Sequence, residues 1–174
     1  MIKALGDKLT PQIDPSCFIA DSAEVMGNVT IGADSSVWYQ AVLRGDVDSI
    51  TVGCRSNIQD LCMVHCDTGL PTIIGDDVTI GHSAIIHACV IGDKCQIGMG
   101  AIILDGAVIG DGCIIGAGAV VPPRMVVPPL SQVMGIPGRV VKTLDPEKAE
   151  AVAEHSRQYA ELAAGHRQLQ ESEK

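Results

Sequence analysis

Residues 91–121 read IGDKCQIGMGAIILDGAVIGDGCIIGAGAVV, and the spacing of their β-branched side chains decides the fold. One such side chain recurs at every sixth position, and the series runs on to residue 133. Its members are Ile91, Ile97, Ile103, Ile109, Ile115, Val121, Val127 and Val133. β-Branched residues suit buried, pleated strands, and a fixed period is the signature of a stacked repeat protein. The stretch therefore predicts an all-β solenoid of hexapeptide repeats.

The same six-residue spacing extends towards the N-terminus. Its earlier members are Ile13, Ile19, Val25, Ile31, Val37 and Leu43, then Val52, Ile58 and Val64, then Ile74, Ile80 and Ile86. The spacing predicts a solenoid domain over residues 13–144, preceded by a short N-terminal segment, residues 1–12. Glycines share one repeat position at Gly100, Gly106, Gly112 and Gly118, where a sharp corner would favour a positive φ.

A change of composition marks the end of the repeat. Asp145, Pro146 and Glu147 resemble an N-cap, a proline at the first helical position and an acid in the first turn. The segment that follows is rich in helix formers but has only a modest apolar stripe. We expect residues 145–174 to form a helix packed on the outside of the solenoid, fraying after about Gln168.

Charge and cysteine content narrow the class of protein. The net charge of the 174 residues is −9 without a basic cluster, which argues against nucleic acid or an anionic membrane as partner. The sequence has neither an apolar signal core at its N-terminus nor a membrane-spanning apolar run, so we expect a cytoplasmic protein. Seven cysteines suggest reduced thiols. Four occupy one repeat position and are predicted to be small core residues: Cys17, Cys62, Cys95 and Cys113.

Interruptions of the repeat locate the candidate site, because departures from a strong local rule are expected at functional positions. About three residues are inserted between Leu43 and Val52 and four between Val64 and Ile74, and one is missing before Ile91. The hexapeptide pattern resembles the left-handed parallel β-helix family, in which three hexapeptides make one triangular coil. Counted by that coil and corrected for the four-residue insertion, His65 and His87 occupy the same position on successive coils, with Arg44 one coil earlier. Strands about 4.8 Å apart let two imidazoles reach one metal ion.

His82 does not belong to this column. It precedes His87 by five residues and occupies the third position of its own repeat, which predicts a different face of a triangular coil. A neighbouring copy of the chain could then supply it, giving a homotrimer with three equivalent interface sites. His155 and His166 fall in the polar terminal helix, and we do not expect them to bind metal.

Four motifs together are more specific than the repeat: AVLRGD (41–46), NIQD (57–60), VHCDTGLPTIIGDDVTIGHSAIIHAC (64–89) and IGMGAIILDGAVIG (97–110). From about Ile13 to Leu144 the sequence resembles the gamma-class carbonic anhydrase family. The resemblance implies a left-handed parallel β-helix with three hexapeptides per coil. It implies a metal held by His65 and His87 of one subunit and His82 of the next.

The resemblance also implies the remaining active-site residues. Arg44, Asp46, Gln59 and Asp60 match active-site and interface polar residues of the family, and Tyr159 matches a tyrosine of its terminal helix. Gln59 is suited to orienting hydroxide or bicarbonate, since its amide donates and accepts. Arg44 would pair with Asp46 or Asp60.

The implied reaction is reversible hydration of CO2 to bicarbonate by a metal-bound hydroxide, with Zn²⁺ as the expected metal and Fe²⁺ or Co²⁺ as alternatives. The acidic loop that carries proton-transfer glutamates in the family is absent: Val47 follows Asp46, and residues 67–72, DTGLPT, contain no glutamate. Asp48, Asp67 or buffer would have to substitute.

Two other classes of function stay open on the sequence. Hexapeptide solenoids also form acyltransferases, and relatives of the family are linked to acyl-CoA thioesterase activity; Arg124, Arg139 and Lys142 are the candidate phosphate-binding residues. The third possibility is a metal-binding trimer with little catalytic activity.

Overall fold

The computed structural model describes residues 1–6 and 9–172, and it confirms the predicted left-handed parallel β-helix with one C-terminal helix. The strands of the first half are β1 (Ile2–Lys3), β2 (Gln12–Ile13), β3 (Phe18–Ile19), β4 (Glu24–Ile31), β5 (Ser36–Val37), β6 (Val42–Val52), β7 (Asn57–Ile58), β8 (Met63–His65), β9 (Thr72–Ile74) and β10 (Thr79–Ile80). Those of the second half are β11 (Ile85–His87), β12 (Val90–Ile91), β13 (Gln96–Ile97), β14 (Ile102–Ile103), β15 (Val108–Ile109), β16 (Ile114–Ile115), β17 (Val120–Val121), β18 (Val126–Val127), β19 (Ser131–Met134) and β20 (Arg139–Thr143). The helix is α1 (Pro146–Ser172).

Parallel pairing between successive coils arranges these strands into three faces. Face A contains β1, β8, β11, β14 and β17, and face B contains β2, β9, β12, β15 and β18. The long strands β4 and β6 bend from face A to face B, so that β6 pairs with β8 near its start and with β9 near its end. Face C contains β3, β5, β7, β10, β13, β16, β19 and β20, and only the last pairing in it, β19 with β20, is antiparallel.

The core is the inside of this triangular prism. From Val25 to Val133 the β-branched residues of the repeat point inward and are buried, as at Ile86 and Ile103, whereas Ile13 and Ile19 in the first coil are only partly buried. All four cysteines predicted to be core residues are buried as well. Burial raises the pKa of the Cys62 thiol to about 12, so this side chain stays protonated at neutral pH and acts as a small apolar residue.

Two segments outside the repeat pack more closely than the sequence predicts. Strand β1 lies within the N-terminal segment and pairs with Val25 and Met26 of β4. The helix, expected to fray after about Gln168, extends to Ser172. The Gln170 side chain donates to the carbonyl of Ile19 and accepts from the backbone of Asp21. These tertiary hydrogen bonds hold the last turn, which local propensity alone would leave loose.

Within the residues that the structure describes, no helix combines the length and apolar character needed to cross a membrane.

Candidate metal centre

Strand register brings the predicted column together on face A. The Cα of Arg44 in β6 pairs with His65 in β8, and that of His65 pairs with His87 in β11. The four-residue insertion before Ile74 is accommodated in the turn that follows His65, so it leaves this register intact. The predicted alignment of the three residues is therefore confirmed.

The two imidazoles face each other across the gap between their strands. Nδ1 of His65 lies 3.1 Å from Nε2 of His87. The other ring nitrogens are each held by a carboxylate: Nε2 of His65 is 2.8 Å from Asp46 Oδ1, and Nδ1 of His87 is 2.5 Å from Asp105 Oδ1. A carboxylate accepts, so those nitrogens carry the hydrogens.

This tautomer assignment determines what can lie between the rings. In neutral imidazoles, both nitrogens that face each other then present lone pairs, and a cation between them relieves their repulsion. Two nitrogens bound to one tetrahedral zinc at about 2.05 Å would be separated by about 3.3 Å, close to the observed spacing. Carboxylates behind the ligating imidazoles are the usual outer support of such a site.

Asp46 connects the imidazole pair to Arg44. Its Oδ2 accepts from Nη1 of Arg44, while its Oδ1 accepts from His65. The hydrogen bond from His65, and then that from Arg44, lower the pKa of Asp46. Of the two acids that the sequence offered to Arg44, the structure selects Asp46, because Asp60 instead contacts His82 through a 2.7 Å approach of Oδ2 to Nδ1.

His82 lies in the turn between β10 and β11. The sequence placed it on a different face from His87; the structure places it at the edge where face A begins, with His87 at the edge where that face ends. Its imidazole is 44% exposed. Among residues 1–6 and 9–172, no three His, Cys, Asp or Glu side chains are arranged to hold one metal ion. One chain thus has two half-sites: the pair His65 and His87 at one edge of face A, and the single His82 at the other edge.

Gln59 and Tyr159 lie on the His82 side. Gln59 is buried, its Nε2 donates to Asn57 Oδ1 at 3.2 Å, and its Oε1 accepts from the backbone N of His82 at 3.2 Å. One N–H and one lone pair of the amide are left for another ligand. Tyr159 packs edge-on against Trp38 and, with Gln59 and His82, lines a cavity of about 360 Å³.

Sequence reasoning missed the polar residues that support these groups. Asp105 could have been found by counting, because β11 and β14 pair Ile86 with Ile103, which places Asp105 one residue beyond the position opposite His87. Asn57 belongs to a motif that the sequence singled out. Ser156 had no signal: this buried helix residue accepts from Asn57 Nδ2 at 3.2 Å and donates to the carbonyl of Arg55.

Two of the three candidate phosphate-binding cations lie at the C-terminal end of the prism, and the third, Arg124, lies beside Asp105, whose backbone carbonyl accepts from the backbone N of Arg124 at 2.9 Å. Arg139 and Lys142 are exposed residues of β20, and Arg124 lies in the turn between β17 and β18. Arg139 lines a cleft of about 560 Å³ with Pro122, Met125 and Pro137.

The sequence matches one family model and several known proteins. The bacterial transferase hexapeptide family (six repeats) matches residues 88–123. A probable carbonic anhydrase of Methanocaldococcus jannaschii is 57% identical over 145 residues, covering 83% of this chain and 91% of that protein. The mitochondrial gamma carbonic anhydrase 3 of Arabidopsis thaliana is 48% identical over 49% of this chain, but the match spans only 35% of the plant protein.

A solved structure extends the likeness to the whole chain. A Bacillus cereus protein provisionally named an acetyltransferase superposes with a TM-score of 0.93 at 40% sequence identity, covering 97% of each chain. The N-acyltransferase AntD, also from Bacillus cereus, superposes with a TM-score of 0.73 at 18% identity and shares the fold alone.

Proposed function

Because the chain belongs to the gamma-class carbonic anhydrase family, we propose that it catalyses the reversible hydration of CO2 to bicarbonate at metal sites shared between three copies of itself. The observation that carries this proposal is the pair of imidazole nitrogens, His65 Nδ1 and His87 Nε2, that face each other at 3.1 Å. The hydrogen bonds to Asp46 and Asp105 favour the tautomers in which these two nitrogens would be free to bind a metal.

Zinc is the proposed metal, and Fe²⁺ or Co²⁺ would fit the same imidazole ligands. When bound, it would lower the pKa of a coordinated water to about 7, and CO2 hydration at neutral pH requires such an acidified water. His65 and His87 of one subunit and His82 of the next would hold it, because three neutral imidazoles leave a fourth position open.

The placement of the histidines on face A supports a homotrimer. The pair lies at one edge of the face and His82 at the other, so a neighbour packed against face A by a rotation of one third of a turn would bring the two half-sites together. Repeating that contact three times closes a ring. Outward-facing Met63 and Ile85, paired in register and each about two-fifths exposed, give this face an apolar surface to bury.

The polar residues of the two half-sites have different proposed tasks. The free N–H and lone pair of Gln59 would orient water or bicarbonate beside the metal. Arg44 and Asp46, ion-paired at the His65 edge, would hold that imidazole in place and contribute to the subunit contact. Tyr159 would close the cavity next to His82.

The test combines metal analysis with two activity assays. The purified protein, handled anaerobically and loaded with zinc or Fe²⁺, should bind one metal per subunit and hydrate CO2. His87→Ala should lose the metal and at least 100-fold in kcat, because it removes a ligand. The matched control is His166→Ala, because the His166 imidazole hydrogen-bonds Tyr39 instead. This variant should keep both the bound metal and the wild-type kcat.

Acetyl-CoA hydrolysis and transfer are measured on the same samples. A metal-loaded protein that leaves CO2 unchanged but consumes acetyl-CoA, with loss of that activity in Arg139→Ala, would replace this proposal by the acyl-CoA alternative. A metal-loaded trimer inactive in both assays would identify a metal-binding protein without this catalysis.

A further inference from the structure

His155 occupies a position between two cavities. The first is the cavity of about 360 Å³ that also contains Gln59, His82 and Tyr159. The second is an outer cleft of about 330 Å³ under the start of α1, lined by Lys148, Val152 and neighbouring residues. The two share His155, Gln96 and Ile114. Of these three side chains, only the imidazole can gain and lose a proton near neutral pH.

The proposed reaction needs such a group. Hydration of CO2 yields bicarbonate and one proton, and that proton has to leave the site in every turnover. The carboxylates nearest to the proposed ligands are committed: Asp46 to His65 and Arg44, Asp60 to His82, and Asp105 to His87. The turn after His65 contains no glutamate, and the Asp67 carboxylate in it accepts from the backbone of Thr68.

The local packing of His155 suits proton transfer. It is exposed on the helix, one residue before buried Ser156, which ties α1 to Asn57 and Arg55. Its ring lies 5.2 Å from that of Tyr159, centroid to centroid, at an angle of 65°. The helix around it is thus anchored, while His155 lines both the cavity that contains Gln59 and His82 and the outer cleft that contains Lys148.

We propose that His155 is the proton-transfer residue of this enzyme, a role that rests on the proposed CO2 hydration. One ring nitrogen takes the proton that the reacting water releases into the cavity, directly or through an intervening water, and the neutral imidazole becomes imidazolium. The proton then passes to a buffer base in the outer cleft, which restores the neutral ring. The imidazole has two ring nitrogens, and either can hold the proton, which makes this transfer possible.

The kinetic test separates proton transfer from CO2 conversion. Removing the proton limits kcat but not kcat/KM, since it follows the conversion of CO2 to bicarbonate. His155→Ala and His155→Gln should therefore lower kcat about ten-fold or more in dilute buffer, with kcat/KM unchanged, and added imidazole should restore kcat in the alanine variant. His166→Ala, on the same helix, should match the wild type. A wild-type kcat in both His155 variants, or an equal fall in kcat and kcat/KM, would overturn the proposal.

A second measurement does not depend on activity. In the trimer loaded with Co²⁺, the NMR signal of the His155 ring Cε1–H should be displaced relative to the zinc form, because the paramagnetic ion lies across the cavity; that of His166 should not. An undisplaced His155 signal would refute the proposed location. If the metal-loaded wild type does not hydrate CO2, the proposed function and the proton-transfer role of His155 are both overturned. If the His155 variants are fully active, only the proton-transfer role is overturned.

Discussion

Each imidazole of the pair has its own carboxylate, but the two carboxylates differ in their surroundings. Asp46 accepts from both His65 and Arg44, so the guanidinium offsets its charge. Asp105 accepts from His87 Nδ1 and is 44% exposed. Its negative charge would therefore make the His87 imidazole a stronger ligand for the proposed metal, and the hydrogen bond also orients the ring.

Replacing Asp105 should weaken metal binding without unfolding the protein. Asp105→Ala leaves the His87 ring free to rotate and to change tautomer, and we expect about a 10- to 100-fold loss of zinc affinity, the usual effect of removing an outer partner. Asp105→Asn, which retains an oxygen acceptor without the charge, should fall between the alanine variant and the wild type. Competition against a chelator of known affinity measures the loss.

The control for charge is Asp48→Ala, because the Asp48 carboxylate accepts from the backbone of Ser49 rather than from an imidazole. It should bind zinc as the wild type does. An Asp105→Ala protein with wild-type zinc affinity would mean that His87 is oriented by packing alone.

At the scale of the elements, helix α1 limits the size of the side chain at the turn of the β-helix that it covers, the turn containing Gly112. Gly112 has a φ of +67°, and a Cβ at this position would lie 2.8 Å from Cβ of Ala149 and 2.7 Å from Cδ2 of Leu130. Gly118 has a φ of +65°, and a Cβ there would meet nothing within 4 Å in the described part of the chain. The two corners have the same backbone strain but only one is covered by the helix.

Replacing each glycine by alanine should therefore separate the cost of a positive φ from the cost of a steric clash with the helix. Gly118→Ala should cost about 1–2 kcal/mol of unfolding free energy, the penalty of a left-handed residue with a Cβ. Gly112→Ala should cost about 1–3 kcal/mol more, because the helix backbone at Ala149 must move to admit the methyl group. Denaturant unfolding at one protein concentration measures both, and equal losses would show that α1 yields without cost.

The sequence predicted correctly those features that depend on local spacing, and it missed those that depend on contacts between distant parts of the chain. The hexapeptide period predicted the coils and the alignment of His65 with His87, because strand register follows from counting once the insertion is recognised. The last turn of α1 was underestimated because Gln170 is held by residues near Ile19, about 150 positions earlier in the chain. For the same reason Ser156 gave no signal, since its partners lie on β7 and the turn before it.

At the scale of the whole molecule, the single chain is asymmetric about face A. One edge has a histidine pair with its carboxylates, the other has His82 with Asp60 and Gln59, and apolar side chains lie outward between them. Face B also has exposed apolar residues, such as Val126 at 70%, but no histidine occurs in its strands. Substitutions on the two faces therefore test whether the proposed trimer buries face A and whether the metal site depends on that contact.

Ile85→Glu should convert the proposed trimer to monomers, because three carboxylates would be brought close to one axis and out of water. The fold should survive, since Ile85 points away from the core, and the far-ultraviolet circular dichroism should be unchanged. Zinc affinity and CO2 hydration should fall together with the trimer, because each proposed site would take His82 from a second chain. Val126→Glu, the matched change on face B, should remain trimeric and active.

Sedimentation velocity with and without zinc measures the assembly. An Ile85→Glu monomer that retains wild-type zinc affinity would show that one chain completes the site alone.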